Sequence, residues 1–404
     1  MFLSDSHRVD HQWSGYSLDG WVSGSRLILV GLCLLNILNP QKELLAQTHS
    51  LTRSVKSANH PLPVSTTKQT VPNSMVVTHD PASGPWSSPT SGKPLQLDYF
   101  PAGVHLLLSV KIADLLQSET GQEILTAFNY FSPLLNDLHQ HTYVKAEIIS
   151  QAIFGWIPAP SGKLPERITV LRLNRLLKPS EVFDDIEHMR TPHGDYYRKS
   201  DTNMAYFVPN PTTLVIAPEK HIPEILEFPD APPIAHHLKS LLPRTDQQRH
   251  LTLVFDSEFL DDELSPVLAF PVSLFVKQVF TFFDQDFPGG LLSFHFTPVF
   301  FLEMIVSRPV NQSSRSFTGT LDKKLQRFPY QLHESLQSKS PRIGRPLVSR
   351  LPAMSKALMV CSSLHIENQQ MVFRSQLPRR AGPNFAWTIP LALQTFFPVS
   401  SLAP

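Results

Sequence analysis

Apolar residues in this chain come in short blocks whose spacing changes along the sequence, and those changes predict an α+β fold. "VHLLLSV" (104–110), "RITVLRL" (167–173) and "LTLVFDSEFL" (251–260) each open on about five apolar residues, the length of a buried strand. After the first, Ser118 is placed to cap a helix in which Ile124, Phe128, Phe131, Leu135 and Leu138 recur at helical spacing. After the second, "PSEVFDDIEHM" puts Val182, Phe183, Ile186 and Met189 on one helical face. "DYYRK", "MAYFV" and "TTLVIA", joined by polar "SDTN" and "PNP", predict an antiparallel meander, followed by a helix around Ile234, Leu238 and Leu241. Near the end, "LHI" and "MVFRSQL" flank "ENQQ" (367–370) as a hairpin, and "AWTIPLALQTFF" is a last apolar segment.

The three strand-opening segments share one plan, a strand followed by a polar position and a short apolar element. This suggests an α+β body over 97–397 built of antiparallel-rich sheets and packed helices, divided into related units 97–165, 166–248 and 249–397. In the third unit the helix, meander and helix fall at 266–283, 291–307 and 320–337. The segment 264–283 has the length of a membrane span. It carries Pro266, Pro271 and Lys277, and Ser273, Lys277, Thr281 and Asp284 form a narrow polar stripe, so it reads as a buried helix of the body.

The first 96 residues follow other rules. "RLILVGLCLLNILNP" (26–40) holds an apolar run over 27–38, shorter than the ~20 residues a span needs and within the 7–15 of a signal-peptide core. Arg26 is a positive flank and Ala46 a small residue near a cleavage point, so residues 1–46 read as a tail with a signal or anchor segment. Residues 47–96 are dominated by Ser, Thr and Pro with no apolar period. Such a stretch buries too little apolar surface to offset its ordering entropy, and it reads as a disordered linker.

Composition changes this picture little. Net charge is +1, which gives no support to nucleic-acid binding. The two cysteines, Cys33 and Cys361, exclude a disulfide framework because one lies in the opening segment. The 37 prolines in 404 residues, about 9% against a usual ~5%, punctuate body and linker alike. Charge is unevenly placed. Residues 251–307 hold eight acids and one base, whereas 308–380 hold thirteen bases and three acids. Arg342, Arg345, Arg350, Arg379 and Arg380 in the basic block are candidates for holding an anion such as a lipid or polysaccharide group. The competing expectation is that the basic block faces the acids of 251–307 inside the body.

No catalytic or nucleotide motif is present: H-E-x-x-H, G-x-S-x-G and G-x-G-x-x-G are all missing from the sequence. His139 and His141 lack a completing carboxylate pattern, and His236 and His237 point about 100° apart on a helix, so neither pair makes a metal site. Asp284 and Asp286 before Phe-Pro-Gly-Gly form a loop that could hold a cation through its carboxylates, and turn chemistry explains them equally well. Cys361, among apolar neighbours, is expected to be an inert thiol. No cofactor is expected.

"LQLDYFPAGVHLLLSVKIADLLQSETGQEIL" (95–125) resembles the opening of uncharacterised exported proteins of planctomycete bacteria. The resemblance rests on Leu97, Asp98 and Pro101 before an apolar strand, and on Leu115, Leu116, Gly121, Gln122 and Glu123 at a helix start. It covers about thirty residues, and the family has no assigned activity, so it implies export and no chemistry. The sequence therefore predicts an exported, membrane-tethered, non-catalytic binding or envelope-structural protein, lying outside the cytoplasm and touching the membrane through 27–38. Its partner would be a polyanion or another envelope component. The alternatives are an extracytoplasmic hydrolase whose site is assembled from distant residues, and anion binding through the basic region 308–380.

Overall fold

The computed structural model describes residues 76–78, 86–131, 142–159, 165–184, 186–199, 202–230, 232–260, 287–307, 313–338 and 344–396. The expected signal or anchor segment 27–38, most of the linker and the expected helix at 264–283 lie outside the described residues.

Among the described residues, the body is built on one sheet of thirteen strands. They are β1 (Val76–Thr78), β2 (Leu106–Val110), β3 (Ile149–Ile157), β4 (Glu166–Leu173), β5 (Glu187–Thr191), β6 (Gly194–Lys199), β7 (Met204–Asn210), β8 (Thr213–Pro218), β9 (Leu251–Asp256), β10 (Gly289–His295), β11 (Phe300–Val306), β12 (Ser362–Glu367) and β13 (Gln370–Leu377). Their order is β1-β12-β13-β11-β10-β9-β2-β3-β4-β8-β7-β6-β5. Neighbours are antiparallel except β1, which lies parallel to β12. The chain is thus an α+β protein with an antiparallel-rich sheet, as the alternation of strand and helix spacing predicts.

Both faces of the central strands are covered, and this explains their composition. A strand wet on one side alternates apolar and polar residues, whereas β2 reads LLLSV and is buried throughout. One face packs Leu106, Leu108, Leu253, Phe294, Phe300 and Leu302 against helices. These helices are α1 (Ile112–Gln117), α2 (Glu119–Phe131) and, after the short turns α3 (Pro179–Val182), α4 (Ile222–Glu227) and α5 (His236–Leu241), the longer α6 (Ser314–Ser338). The set continues with α7 (Arg345–Val348), α8 (Leu351–Val360) and α9 (Ala381–Phe396). Phe296, Phe300 and Phe385 stack within this layer at centroid distances of 6.0 and 5.8 Å. The opposite face carries Leu107, Val254, Leu291, Ile305 and Val372, covered by α4, α5 and the segment around Leu97 and Phe100. Among the described residues no helix is long and apolar enough to cross a membrane.

Local signals account for many element ends. Ser118 caps α2, its Oγ accepting from the Gly121 N–H at 2.9 Å. The expected meander is β6, β7 and β8, and the hairpin expected around 367–370 is β12–β13. Its two turn residues, Asn368 and Gln369, sit at φ 50° and 64°, the left-handed pair that a tight two-residue hairpin demands. A non-glycine residue there costs ~1–2 kcal/mol. Gln369→Gly is therefore expected to raise stability by about 1 kcal/mol, read as a higher urea midpoint at an unchanged slope; an unchanged midpoint would contradict it.

Two sequence expectations change, and one central strand is added that the sequence pattern does not assign. The helix expected through Met189 stops at Val182, and Glu187–Thr191 is instead β5, the outer edge of the sheet. Glu187, His188 and Arg190 are exposed there, as suits an edge that must not pair further. Strand β3 is central, although Ser150, Gln151 and Gly155 interrupt its apolar run. Gln151 donates to Ser109 Oγ at 2.7 Å, and Gly155 leaves room for Phe100, whose Cε1 would lie 2.6 Å from an added Cβ. Finally, the packed chain begins before Leu97: residues 86–96 lie along the body, with Leu95 buried, and Val76–Thr78 pair with β12.

Strand order runs in a similar way on the two sides of the β2–β9 pair. Outward from the β2–β9 pair, one side runs β2, β3, β4, β8, β7 and the other β9, β10, β11, β13, β12. On each side a hairpin follows the first strand, and the next antiparallel pair enters with its later strand innermost. The β2–β9 register centres on Leu108 opposite Leu253, a local twofold relation. In this order β9 lies between β2 and β10, and β4 between β3 and β8.

Candidate functional site

The face of the sheet under the 86–97 segment carries a row of polar side chains. Register places them in a row. Ser109 lies opposite Thr252, Thr252 opposite Ser293, Ser293 opposite Glu303, Glu303 opposite Arg374 and Arg374 opposite Ser363. Six strands thus contribute one polar residue each, all buried except the partly buried Arg374. One register step away, His250, His295, Phe301 and Gln376 continue the same face toward the edge of the layer. On the other side lie Val254, Leu291, Ile305, Val372 and the buried His365.

A chain of alternating charges crosses this face. Arg244, at the end of the 3₁₀ turn Leu242–Arg244, makes a two-pronged pair with Glu367, its Nη2 lying 2.6 Å from Oε2. Glu367 Oε2 also lies 3.8 Å from Arg374 Nη2. Arg374 Nε donates to Glu303 Oε2 at 2.6 Å. Hydrogen bonding from Arg244 is the chief reason that the Glu367 carboxyl is held below its ordinary range. This is the contact between basic and acidic blocks that the charge pattern anticipates, with Arg374 from the first and Glu303 from the second.

Arg249 ends the chain. Its guanidinium lies over the Phe301 ring at 4.1 Å, and the residue is only 3% exposed. Nη2 donates to Ser88 Oγ at 2.8 Å, while Nε and Nη1 are buried without a partner. Burial draws its pKa down, opposed by the more distant charges of Glu303 and Asp246. Asp246 is engaged elsewhere: it accepts from Thr90 Oγ1 at 2.6 Å, the Gly92 N–H at 2.9 Å and the Gln248 N–H at 2.7 Å. Gly92 has to be glycine for this approach, since an added Cβ would lie 2.2 Å from Asp246 Oδ1. Further bonds from Gln247 to Lys93 and Pro94, from Leu95 to Thr245 and from Gln376 to Ser87 hold residues 87–95 over the layer as a strap. Thr252 Oγ1, His295 Nδ1 and both ring nitrogens of His365 are further buried polar atoms without a hydrogen-bond partner. His365 Nε2 is 3.7 Å from Glu367 Oε2, too long for a hydrogen bond.

The histidines here are neutral in the fold. His250 Nδ1 accepts from the Phe296 N–H at 3.0 Å, and its ring stacks on His295 at 4.1 Å. Burial, with His295, Lys111 and Arg249 nearby, lowers its pKa from 6.5 to about 3. His295 and His365 shift the same way, also chiefly by burial. An unfolded histidine takes up a proton below pH 6.5 that the folded one refuses. Stability therefore falls as pH drops through that value, by up to ~1.4 kcal/mol per pH unit from His250. Glu166, Asp256 and Glu367, whose folded pKa values are depressed, lose stability with the same sign only below their unfolded values of 4.5, 3.8 and 4.5. Urea titrations between pH 6.5 and 5 isolate the histidines: the slope is expected to flatten by about one proton in His250→Gln, and an equal slope would contradict the assignment.

A second polar group lies where β2 and β9 end. His105 Nδ1 is 3.2 Å from Asp256 Oδ2, and Asp256 Oδ1 accepts from the Glu258 N–H at 3.0 Å. Burial pushes the Asp256 carboxyl up, but the bond and charge of His105 and the Glu258 N–H outweigh it and leave it lowered. Asp256 is buried and His105 about one-third exposed, an aspartate-oriented imidazole.

Four of the five arginines singled out from the sequence are among the described residues. Arg379 pairs with Glu119 at 3.2 Å and Arg380 with Glu123 at 2.8 Å, both on α2. Arg345 and Arg350 are exposed at the start of α7 and just before α8, and Arg342 lies outside the described residues. His236 and His237 meet edge-on at 6.3 Å, and among the described residues no group of His, Cys, Asp or Glu is placed to hold a metal. His139, His141, Asp284 and Asp286 also lie outside them. Cys361 is partly buried, and burial pushes its thiol pKa up. Arg244, Arg249 and His365 escape a search for clustered charge. The signal that finds Glu303 and Arg374 individually is a lone charge inside an apolar strand, as in "FFLEMIV" and "MVFRSQL", where each ion faces the other across β11 and β13.

No family model matches the chain, and no curated protein matches it. Among solved structures, one described as "Structure of crystal form I of TP0453" superposes with a TM-score of 0.35 at 11% identity, over 75% of this chain and 100% of that one.

Proposed function

We propose that this chain is a non-catalytic binding protein of the cell envelope, exported and tethered through residues 27–38, with its ligand-holding groups in the charged layer beneath the strap. Export is supported by the apolar run behind Arg26 and by the planctomycete-like segment 95–125. The observation that carries binding is Arg249, a buried cation with two unpartnered N–H groups at the end of an otherwise paired chain of charges. A buried charge is costly unless paired, and an unsatisfied buried group in a folded protein calls for a functional reason. Fractionation of cells making the full chain tests the address. The protein is expected with the membrane, and deletion of 27–38 is expected to retain it in the cytosol. Cytosolic recovery of the intact chain would end this reading.

The second reading is hydrolysis at His105. Its Nδ1 on buried Asp256 leaves Nε2 as the basic atom, the arrangement of a general base. Turnover of simple ester or peptide substrates that disappears in His105→Gln would favour it over binding.

A further inference from the structure

We infer that the layer beneath the strap takes the carboxylate of a small organic acid, docked on Arg249. The inference rests on the binding reading and supplies the chemistry of its ligand. Arg244, Glu367, Arg374, Glu303 and Arg249 alternate in sign across the face and leave one positive charge over, since three arginines meet two glutamates. The excess sits at the end where donors are free. Asp246 does not cancel it by contact, because its two oxygens are occupied by Thr90, Gly92 and Gln248.

The donor geometry selects the ligand. A guanidinium offers two forked edges, Nε with Nη2 and Nη1 with Nη2, and each matches the two oxygens of a carboxylate. Ser88 takes one Nη2 hydrogen, while Nε and Nη1 are unpartnered, so one whole fork remains. Phe301 covers a flat face of the guanidinium, which directs a ligand to its edge. Thr252 Oγ1, on the same face of the sheet and without a partner, adds a hydroxyl to the layer. The strap sets access. Ser88 is itself exposed, and the strap is held by hydrogen bonds with little apolar burial, so it opens at lower cost than the sheet beneath it.

Acetate, its neutral isostere acetamide and inorganic phosphate are the probes, titrated calorimetrically into the full chain. Acetate is expected to bind saturably and acetamide not to bind. Phosphate, whose tetrahedral oxygens match the planar fork less well than a carboxylate, is expected to bind at least about tenfold more weakly. Arg249→Lys keeps the charge and loses the fork. It is expected to weaken acetate by at least about tenfold, while Arg380→Ala on the surface leaves it unchanged. Circular dichroism and melting confirm that Arg249→Lys folds; should it not, Ser88→Ala, which frees a further Arg249 hydrogen, is expected to alter acetate affinity in a folded chain. Absence of saturable acetate binding, equal binding of acetate and phosphate, or full affinity in Arg249→Lys overturns the inference. Binding of acetamide or a neutral sugar in place of acetate also overturns it, yet leaves the binding reading standing; cytosolic fractionation removes that reading separately.

Discussion

Replacing Glu303 by alanine is expected to destabilise the protein by about 3–5 kcal/mol, the cost of breaking a buried ion pair from one side. Its carboxylate accepts from Arg374 Nε at 2.6 Å, and the two side chains are 8% and 16% exposed. Without it, Arg374 retains only the 3.8 Å contact with Glu367 among its described ion pairs, and Arg249 loses the larger of the two negative charges acting on it. Glu303→Gln keeps the volume and an acceptor and is expected to cost less. The double replacement Glu303→Leu with Arg374→Leu is expected to recover much of the loss, since apolar residues of similar volume often replace a buried pair at little cost. Urea unfolding of the four proteins measures all of these terms. A loss below ~1 kcal/mol for Glu303→Ala would mean a solvated surface pair and would remove the basis for a buried charged layer.

The second large effect is expected at the centre of the sheet. Leu253→Ala should cost about 2–5 kcal/mol, because Leu253 and Leu108 are both fully buried and face each other where the two similar strand arrays join. The cavity opens between β2 and β9, so both sides lose packing at once. Calorimetry is expected to show one transition, shifted down, because the thirteen strands form a single hydrogen-bonded sheet. Two separated transitions in the variant would mean that the sides fold independently and that the seam contributes little.

These expectations draw on features that differ in how far the sequence announces them. The cap at Ser118, the hairpin at Asn368 and Gln369 and the meander β6–β8 follow from neighbours within a few residues, and local chemistry decides them. Gly155 in β3 and the break after Val182 depend on distant partners, the Phe100 ring in one case and the sheet edge in the other. The 86–96 segment shows the same limit from the other side. Its Ser- and Pro-rich composition lacks a core, yet Asp246, Gln247 and Arg249 supply polar partners that hold it to the body.

Of the candidate site, only the likelihood of contact between the acidic and basic blocks is written in the sequence, and the pair that realises it, Glu303 with Arg374, is set by the β11–β13 register. Of the arginines grouped by sequence proximity, Arg379 and Arg380 are taken up by Glu119 and Glu123 on α2, partners that lie about 260 residues away in the chain. The sequence by itself determined the α+β class, most strand positions and the local turns, since backbone periodicity and capping act over a few residues. Tertiary structure alone decided the order of the strands, the seam between β2 and β9 and the charged layer ending at Arg249. Each of these depends on residues far apart in the chain, whose meeting is set by which strands pair and in what register.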